Sequence, residues 1–419
     1  MRRTIVIATL AITVAAGLAT PGLAFESTID TTFADNGVYA VPKSQIAYVA
    51  ADGATTIVVV TKYTKHGTVA TVRRLDASGQ PDPTFAGDGK AELTSVKSFD
   101  VQSVAIDANH NIVLTGQTAD SISVVKLGAN GQLDTGFAGD GIRTIKGRSL
   151  AATDAVTDSQ GRILVLVLDI DFKSRKFQSD ALVYRLLPHG KFDPEFGNDG
   201  VRRIDRLPDD YGAAITVDQT DRPIITGGGF RRSKAWVTRL TQPKGRLDAT
   251  FGTDGTTVVG FGAGVSAAGL DVAVVGASIT VAASTVTEDP HRTSLAGFRL
   301  TGAGQLDPTY GNGGKAYFPT AAKTEIYGLF VDADGAVISG GHRRIDRSTW
   351  VPLVGALTPD GVPDAQIDAT GIADIAVGSK LADARSFTVV GGQIVASIWD
   401  FSSQPGSSVV VTRLGTPAP

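Results

Sequence analysis

Arginine and tryptophan residues gather in polar segments between predicted strands. Two of these segments are GGFRRSKA (Gly228–Ala235) and GHRRIDRST (Gly341–Thr349). Arginine offers a planar, always charged set of donors, and aromatic rings offer flat contact area at low entropic cost. Together they favour recognition of carboxylates, phosphates or sugar faces. The candidate binding residues are Arg231, Arg232, Trp236, Arg292, Arg343, Arg344 and Trp350. The alternative is that the arginines are solvated and the tryptophans cap the core.

A second set of candidates lies at the beginning of predicted inner strands. Carboxylates there could bind a cation or perform acid–base chemistry. The sequence contains no HExxH motif, phosphate-binding loop or dinucleotide fingerprint, and we expect no cofactor and no resident metal. The candidates, which would line the mouth of a central axis, are Asp154, Tyr211, Asp271 and Tyr327.

A short motif with an Asp, an aromatic residue three positions later and a Gly seven positions later recurs along the chain. It appears as GQPDPTFAGDG (Gly79–Gly89), and its Asp returns every 52 to 59 residues. The Asp can close an Asx-turn, and the repeated Gly suggests a backbone position with positive φ. The aromatic residue would pack between neighbouring sheets. An alternative role for Asp82 and Asp88 is calcium binding. We assign a structural role to Asp82, Phe85, Gly89, Asp134, Phe137, Gly141, Asp193, Phe196, Gly200, Asp248, Phe251 and Gly255; further copies begin at Asp30, Asp307 and Asp364.

The residues between the motifs also follow a regular pattern. Segments such as SVAIDANHNIVLTGQT (Ser103–Thr118) read as two strands joined by a tight turn. A third strand ends in a short sequence such as VRRL (Val72–Leu75), and a fourth strand follows the Asp motif. Four strands in each of seven periods, without a convincing helix, predict an all-β, seven-bladed β-propeller. An open solenoid is the alternative, but solenoids need atypical capping repeats.

The two ends of the chain complement each other. The N-terminal region supplies an Asp motif and the fourth-type strand Val38–Val41, and the C-terminal region supplies the third-type strand Val409–Leu414. We therefore expect the last blade to be closed by the N- and C-terminal strands. Such closure protects strand edges from intermolecular pairing.

The repeated motif with its intervening hairpin resembles the bacterial delta-60 repeat family. The resemblance covers Phe25 to Leu414 and departs from the family pattern in the last repeat. It implies a β-propeller in an exported bacterial protein. It implies no particular activity and no catalytic residues.

The N-terminal residues have the features of a cleavable signal peptide. Arg2 and Arg3 precede an apolar run, and small residues end at Ala24. We therefore expect residues 1–24 to be removed, residues 25–419 to form a single domain, and the protein to be secreted or periplasmic. The run is short for a membrane anchor, and no later segment is apolar enough to span a bilayer.

Composition narrows the range of partners. The net charge of −3 does not favour nucleic acid, and the lack of cysteine excludes disulfides and thiolate metal sites. We expect a monomeric, non-catalytic binding module whose partner is a glycan, an anionic cell-surface polymer or a protein. A hydrolase or lyase with an axial metal or carboxylate site is the alternative.

Overall fold

The computed structural model describes residues 28–415, except 66, 148–149, 172–177, 205–210, 229–233, 289–290, 318–323, 347 and 403–406. Residues 1–24, which we assign to a signal peptide, lie outside this part. The described residues form strands and turns and no helix, so the all-β prediction is confirmed. No described helix is long and apolar enough to cross a membrane.

The strands assemble into antiparallel groups of four, which we number along the chain. Group 1 contains β2 (Gln45–Asp52), β3 (Thr55–Thr64), β4 (Gly67–Leu75) and β5 (Lys90–Glu92). Group 2 contains β6 (Asp100–Ile106), β7 (Ile112–Gln117), β8 (Ser121–Leu127) and β9 (Ile142–Lys146). Group 3 contains β10 (Leu150–Thr157), β11 (Ile163–Asp171), β12 (Gln178–Leu186) and β13 (Val201–Ile204).

The remaining groups follow the same order of strands. Group 4 contains β14 (Tyr211–Val217), β15 (Pro223–Gly228), β16 (Ala235–Arg239) and β17 (Thr256–Val259). Group 5 contains β18 (Val265–Val275), β19 (Ser278–Glu288), β20 (His291–Leu300) and β21 (Lys315–Tyr317). Group 6 contains β22 (Thr324–Val331), β23 (Val337–Arg344), β24 (Trp350–Leu357) and β25 (Ile372–Asp374). Group 7 combines β26 (Ala382–Val390), β27 (Gln393–Asp400) and β28 (Ser408–Leu414) with β1 (Val38–Val41). One residue pair, Gly228 with Ala268, joins groups 4 and 5 into a continuous eight-stranded sheet.

Strand β1 pairs with the last strand of the chain. Val38 lies opposite Thr412, and Val41 lies opposite Val409, in antiparallel register. The expected pairing of the two terminal strands is therefore present. The pairing covers the edge of β28, which would otherwise expose unpaired backbone donors and acceptors.

The first strand of each group packs against the first strands of its neighbours. Contacts join β2 to β6, β6 to β10, β10 to β14, β14 to β18, β18 to β22, β22 to β26 and β26 back to β2. Each of these strands also contains a β-bulge, for example between Ala152 and Asp154 of β10. A bulge bends and twists a strand and redirects its side chains. The core consists mainly of β-branched and aromatic side chains lying between adjacent groups.

Candidate functional site

The recurring Asp is the centre of a turn that has the same geometry in every copy. The backbone N–H of Thr84 donates to Asp82 Oδ1 at 2.9 Å, which is the expected Asx-turn. Gly89 has φ of 81°, a left-handed conformation that favours glycine. The same Asx bond is made by Asp30, Asp134, Asp193, Asp248, Asp307 and Asp364. Gly37, Gly141, Gly200, Gly255, Gly314 and Gly371 likewise have φ between 72° and 91°.

The other oxygen of the Asp receives an arginine that links two groups. Arg74 Nε donates to Asp82 Oδ2 at 2.8 Å, and Arg74 Nη1 donates to the carbonyl of Ala129 in group 2 at 2.6 Å. Hydrogen bonds from Thr84, assisted by the charge of Arg74, lower the pKa of Asp82. Equivalent arginines are Arg185 with Asp193, Arg239 with Asp248, Arg299 with Asp307 and Arg413 with Asp30. We call these pairs the arginine clamps.

The aromatic residue of the motif is a buried plug beneath the clamp. Phe85 is fully buried, and the guanidinium of Arg74 lies 5.1 Å from its ring centre. Gly131 of group 2 packs on the same ring so closely that a Cβ there would lie 2.9 Å from it. Burial of such a ring stabilises the fold by roughly 1.5–3 kcal/mol. Phe137, Phe196 and Phe251 are equally buried. The motif therefore stabilises the contact between groups, and the carboxylate that calcium would need is already bonded to arginine.

The predicted axial carboxylates lie inside the packed structure. Asp154 is fully buried and accepts hydrogen bonds from Ser103 Oγ at 2.9 Å and from the backbone N–H of Ile215 at 2.8 Å. It thereby connects groups 2, 3 and 4. The prediction that Asp154 is accessible at an axial mouth is wrong, because its oxygens bind the neighbouring inner strands.

Asp271 has a similar position in group 5. It is 2% exposed, and its oxygens accept from the backbone N–H groups of Val272 and Val331, each at 2.9 Å. Burial raises its pKa, and the negative charge of Asp154 adds to the effect. Asp271 therefore does not line an open mouth of the central axis either. Tyr211 is only 6% exposed, and the side chain of Tyr327 lies outside the described residues. Among the described residues, no group of three or more His, Cys, Asp and Glu could hold a metal ion.

The structure places the predicted loop residues in different environments. Arg231 and Arg232 lie outside the described residues, as does the side chain of Arg292. Trp236 is 1% exposed and packs in the core of groups 3 and 4. The prediction that Trp236 belongs to a binding surface is wrong, because β16 directs its ring into the core. Arg343, Arg344 and Trp350 remain at the surface of group 6.

Groups 6 and 7 bring four aromatic side chains together, and we call His342, Trp350, Trp399 and Phe401 the aromatic cluster. His342 and Trp350 are stacked, with ring centres 4.5 Å apart and an angle of 7° between the planes. Phe401 lies 6.1 Å from Trp350 in an edge-to-face arrangement and 4.3 Å from Trp399. The two tryptophans and Phe401 are partly exposed, whereas His342 is buried. A partly exposed surface of tryptophan and phenylalanine therefore spans the junction of the two groups.

A buried hydrogen bond supports this surface. His342 Nδ1 bonds to Asp383 Oδ1, across the junction from group 6 to group 7. Arg385 Nη2 donates to Asp383 Oδ2 at 2.8 Å, and its guanidinium lies 5.3 Å from the centre of the Trp399 ring. Both His342 and Asp383 are 1% exposed. These contacts fix the positions of the tryptophan rings.

Each of the two partly exposed tryptophans has an indole N–H that is buried and has no hydrogen-bond partner in the described structure. The atoms are Nε1 of Trp350 and Nε1 of Trp399. Tyr48 Oη and Asp100 Oδ1 share this property in groups 1 and 2, and burial raises the pKa of Asp100. Buried polar groups usually have hydrogen-bond partners in native proteins, and each exception needs an explanation. The indole donors are themselves buried, and Nε1 of the core residue Trp236 also lacks a partner in the described structure, so these donors do not indicate a ligand.

Sequence reasoning identified Trp350 but missed Asp383, Arg385 and Phe401 as members of the site. His342 was assigned to a polar loop, yet it lies in β23 and is buried. The available signal was the spacing of Trp399 and Phe401, since side chains two residues apart point to the same side of an extended chain.

Comparisons with known proteins find structural similarity but do not identify a family for this chain. No protein-family model and no curated protein matches the chain. The solved structures that match include an acylaminoacyl peptidase of Pyrococcus horikoshii, with a TM-score of 0.43, 8% identity and coverage of 91% of this chain and 53% of the peptidase. They also include a subtype N10 neuraminidase-like protein from a little yellow-shouldered bat isolate, with a TM-score of 0.38, 11% identity and coverage of 91% and 98%. The chain thus spans about half the length of the peptidase.

Proposed function

We propose that residues 25–419 form a closed seven-bladed β-propeller in which each four-strand group is one blade. The cyclic contacts of the seven first strands support this proposal. The pairing of β1 with β28 supports closure of the last blade by both termini. The clamp from Arg413 to Asp30 and to the carbonyl of Ala77 links group 7 to group 1, as the other arginine clamps link groups 1, 3, 4 and 5 to the next group.

The sequence supports export of this domain. Residues 1–24 have the charged, apolar and small-residue regions of a signal peptide, and the repeat resembles the delta-60 family of exported bacterial proteins. We therefore assign the protein to the secreted or periplasmic compartment. The lack of cysteine is compatible with that compartment, because the arginine clamps and buried plugs hold the blades together without disulfides.

The function that we assign to the domain is non-catalytic binding of a glycan at the aromatic cluster. One observation carries this assignment: the partly exposed rings of Trp350, Trp399 and Phe401 lie beside one another across the junction of groups 6 and 7. Sugar rings present C–H faces that pack on aromatic rings and hydroxyl oxygens that accept hydrogen bonds. The hydrogen bond of His342 with Asp383 orders the surface before binding, which reduces the entropy lost on association.

A glycan array probed with the protein from residue 25 onward tests this function. Trp350→Ala should lose binding because it removes the partly exposed ring on which a sugar would pack. Tyr317→Ala is the matched control, since Tyr317 is 46% exposed on β21 of group 5, away from the cluster. Circular dichroism and a urea titration of each variant separate loss of binding from loss of folding.

Intrinsic fluorescence offers a second readout, because the chain contains only three tryptophans and Trp236 is buried. A ligand at the cluster should change the emission of wild-type protein and have a smaller effect on Trp350→Phe. Equal binding by wild type and a folded Trp350→Ala variant would contradict the proposed site. Turnover of a bound glycan would favour the hydrolase or lyase alternative.

A further inference from the structure

Two adjacent arginines at the end of β23 have opposite environments. Arg343 forms an ion pair with Asp374 of β25, through both Nε and Nη2. Its charge is therefore balanced within group 6. Arg344 is exposed, and its guanidinium lies 5.5 Å from the centre of the Trp350 ring.

The charge of Arg344 has no such balance among the described residues. Asp346, two residues later, accepts hydrogen bonds from the backbone N–H and the hydroxyl of Ser348, at 2.7 and 2.9 Å, and forms no ion pair with Arg344 in the described structure. Asp374 is bonded to Arg343, and Asp383 is buried between His342 and Arg385. Arg344 is thus an exposed cation beside the aromatic cluster that forms no ion pair with a carboxylate among the described residues.

The guanidinium of Arg344 lies over the Trp350 ring and belongs to an exposed side chain, so its N–H donors are available beside the aromatic surface. A carboxylate can accept two parallel hydrogen bonds from a guanidinium, and arginine is suited to this geometry because its donors are fixed in one plane. Cation–π contact of this kind adds about 0.5–1 kcal/mol at exposed sites.

We propose that the glycan is acidic and that Arg344 binds a sugar carboxylate while Trp350 packs on a sugar ring. This inference rests on the proposed binding function and specifies its substrate class. A hexuronic acid fits the arrangement, because its carboxylate is attached to the ring that would pack on the tryptophan. Sulfated sugars share the negative charge but offer a tetrahedral group in place of the planar one.

Titration calorimetry with oligogalacturonates tests the proposal, together with their fully methyl-esterified forms and a sulfated oligosaccharide of equal length. Wild type should bind the acid about tenfold more tightly than the ester, which corresponds to about 1.4 kcal/mol. Arg344→Ala should bind the acid as weakly as the ester. Arg343→Ala, which removes a neighbouring charge already paired with Asp374, should bind within about twofold of wild type.

Each other outcome has a definite meaning. Equal binding of acid and ester by wild type would overturn the inference and leave the glycan-binding function standing. An equal loss in Arg343→Ala and Arg344→Ala would also overturn it, because general electrostatic attraction would then explain the result. Tighter binding of the sulfated oligosaccharide than of the oligogalacturonate would show that the site prefers sulfate. That result would refute the assignment of Arg344 to a sugar carboxylate. Failure of wild type to bind any probe would count against both the inference and the proposed function.

Discussion

A buried carboxylate in group 6 should make the stability of the protein depend on pH in an unusual direction. In groups 3 and 4, the hairpin between the first two strands contains an Asp whose Oδ2 is bonded to an Arg four residues later: Asp158 with Arg162, and Asp218 with Arg222. In group 6 the equivalent Asp332 faces Ala336 instead. Its Oδ1 accepts two backbone N–H groups, whereas its Oδ2 is buried without a partner in the described structure.

Burial raises the pKa of Asp332 from 3.8 to about 6. The folded state therefore favours the protonated carboxyl. The stabilisation from protonation is fully present below pH 3.8 and is lost as the pH rises through 6. A shift of this size corresponds to about 3 kcal/mol in total, of which about 2 kcal/mol falls between about pH 4 and about pH 7.

Urea unfolding of wild type and Asp332→Asn across this pH range measures the effect. The difference in unfolding free energy between the two proteins should change by about 2 kcal/mol, with wild type relatively weaker at neutral pH. Asp218→Asn is the control. Burial alone would raise the pKa of Asp218, but hydrogen bonds from Thr220 and Arg222 outweigh it and lower the pKa. That variant should therefore lose more stability at neutral pH than in acid. Parallel profiles of wild type and Asp332→Asn would refute the reasoning.

Two further predictions concern the closure of the fold. Arg239→Ala removes the clamp to Asp248 and the bond to the carbonyl of Gly302. Because Arg222 Nη1 still bonds to Asp248 at 3.3 Å, urea unfolding should show a loss of about 1.5–3 kcal/mol, the range for a hydrogen bond to a charged group. A loss below about 1 kcal/mol would contradict the clamp interpretation. Deletion of residues 25–41 removes β1 and exposes the edge of β28. Light scattering should therefore show aggregation. A soluble truncated protein with unchanged cooperative unfolding would contradict the construction of group 7 from both ends of the chain.

The repeat could be predicted from sequence because each copy carries its whole turn within a few residues. Asp82, Phe85 and Gly89 act locally through an Asx-turn, a plug and a left-handed backbone. The terminal pairing could be predicted for a similar reason, since an incomplete set of strands at one end matched an incomplete set at the other.

The candidate site depends on contacts between distant segments, and the sequence could not supply these. His342 and Asp383 are 41 residues apart and lie in different groups. Asp154 was a candidate axial residue because it lies near the beginning of an inner strand, and its partners Ser103 and Ile215 lie 51 and 61 residues away. Trp236 was placed beside a loop correctly, but the side of the strand that it occupies depends on the register of β16.

The junction of groups 6 and 7 is also where the repeated clamp is missing. Ala356 occupies the position of the clamp arginine beside Asp364, and Ile367 replaces the aromatic plug. At the opposite end of the strands, His342 bonds to Asp383 and the backbone N–H of Trp350 donates to the carbonyl of Lys380. We infer that these contacts take over part of the stabilising role of the absent clamp.

Residues at this junction therefore contribute both to the stability of the fold and to the proposed binding surface. The choice of variant decides whether an experiment measures stability or binding. Loss of His342 or Asp383 removes a buried hydrogen bond across the junction and leaves a buried polar group less well satisfied, and such changes destabilise the fold. Arg344 lies outside this buried set, and its exposed side chain lies over the Trp350 ring. A change at Arg344 should leave the unfolding free energy nearly unchanged, so any loss of ligand affinity there reports on binding itself.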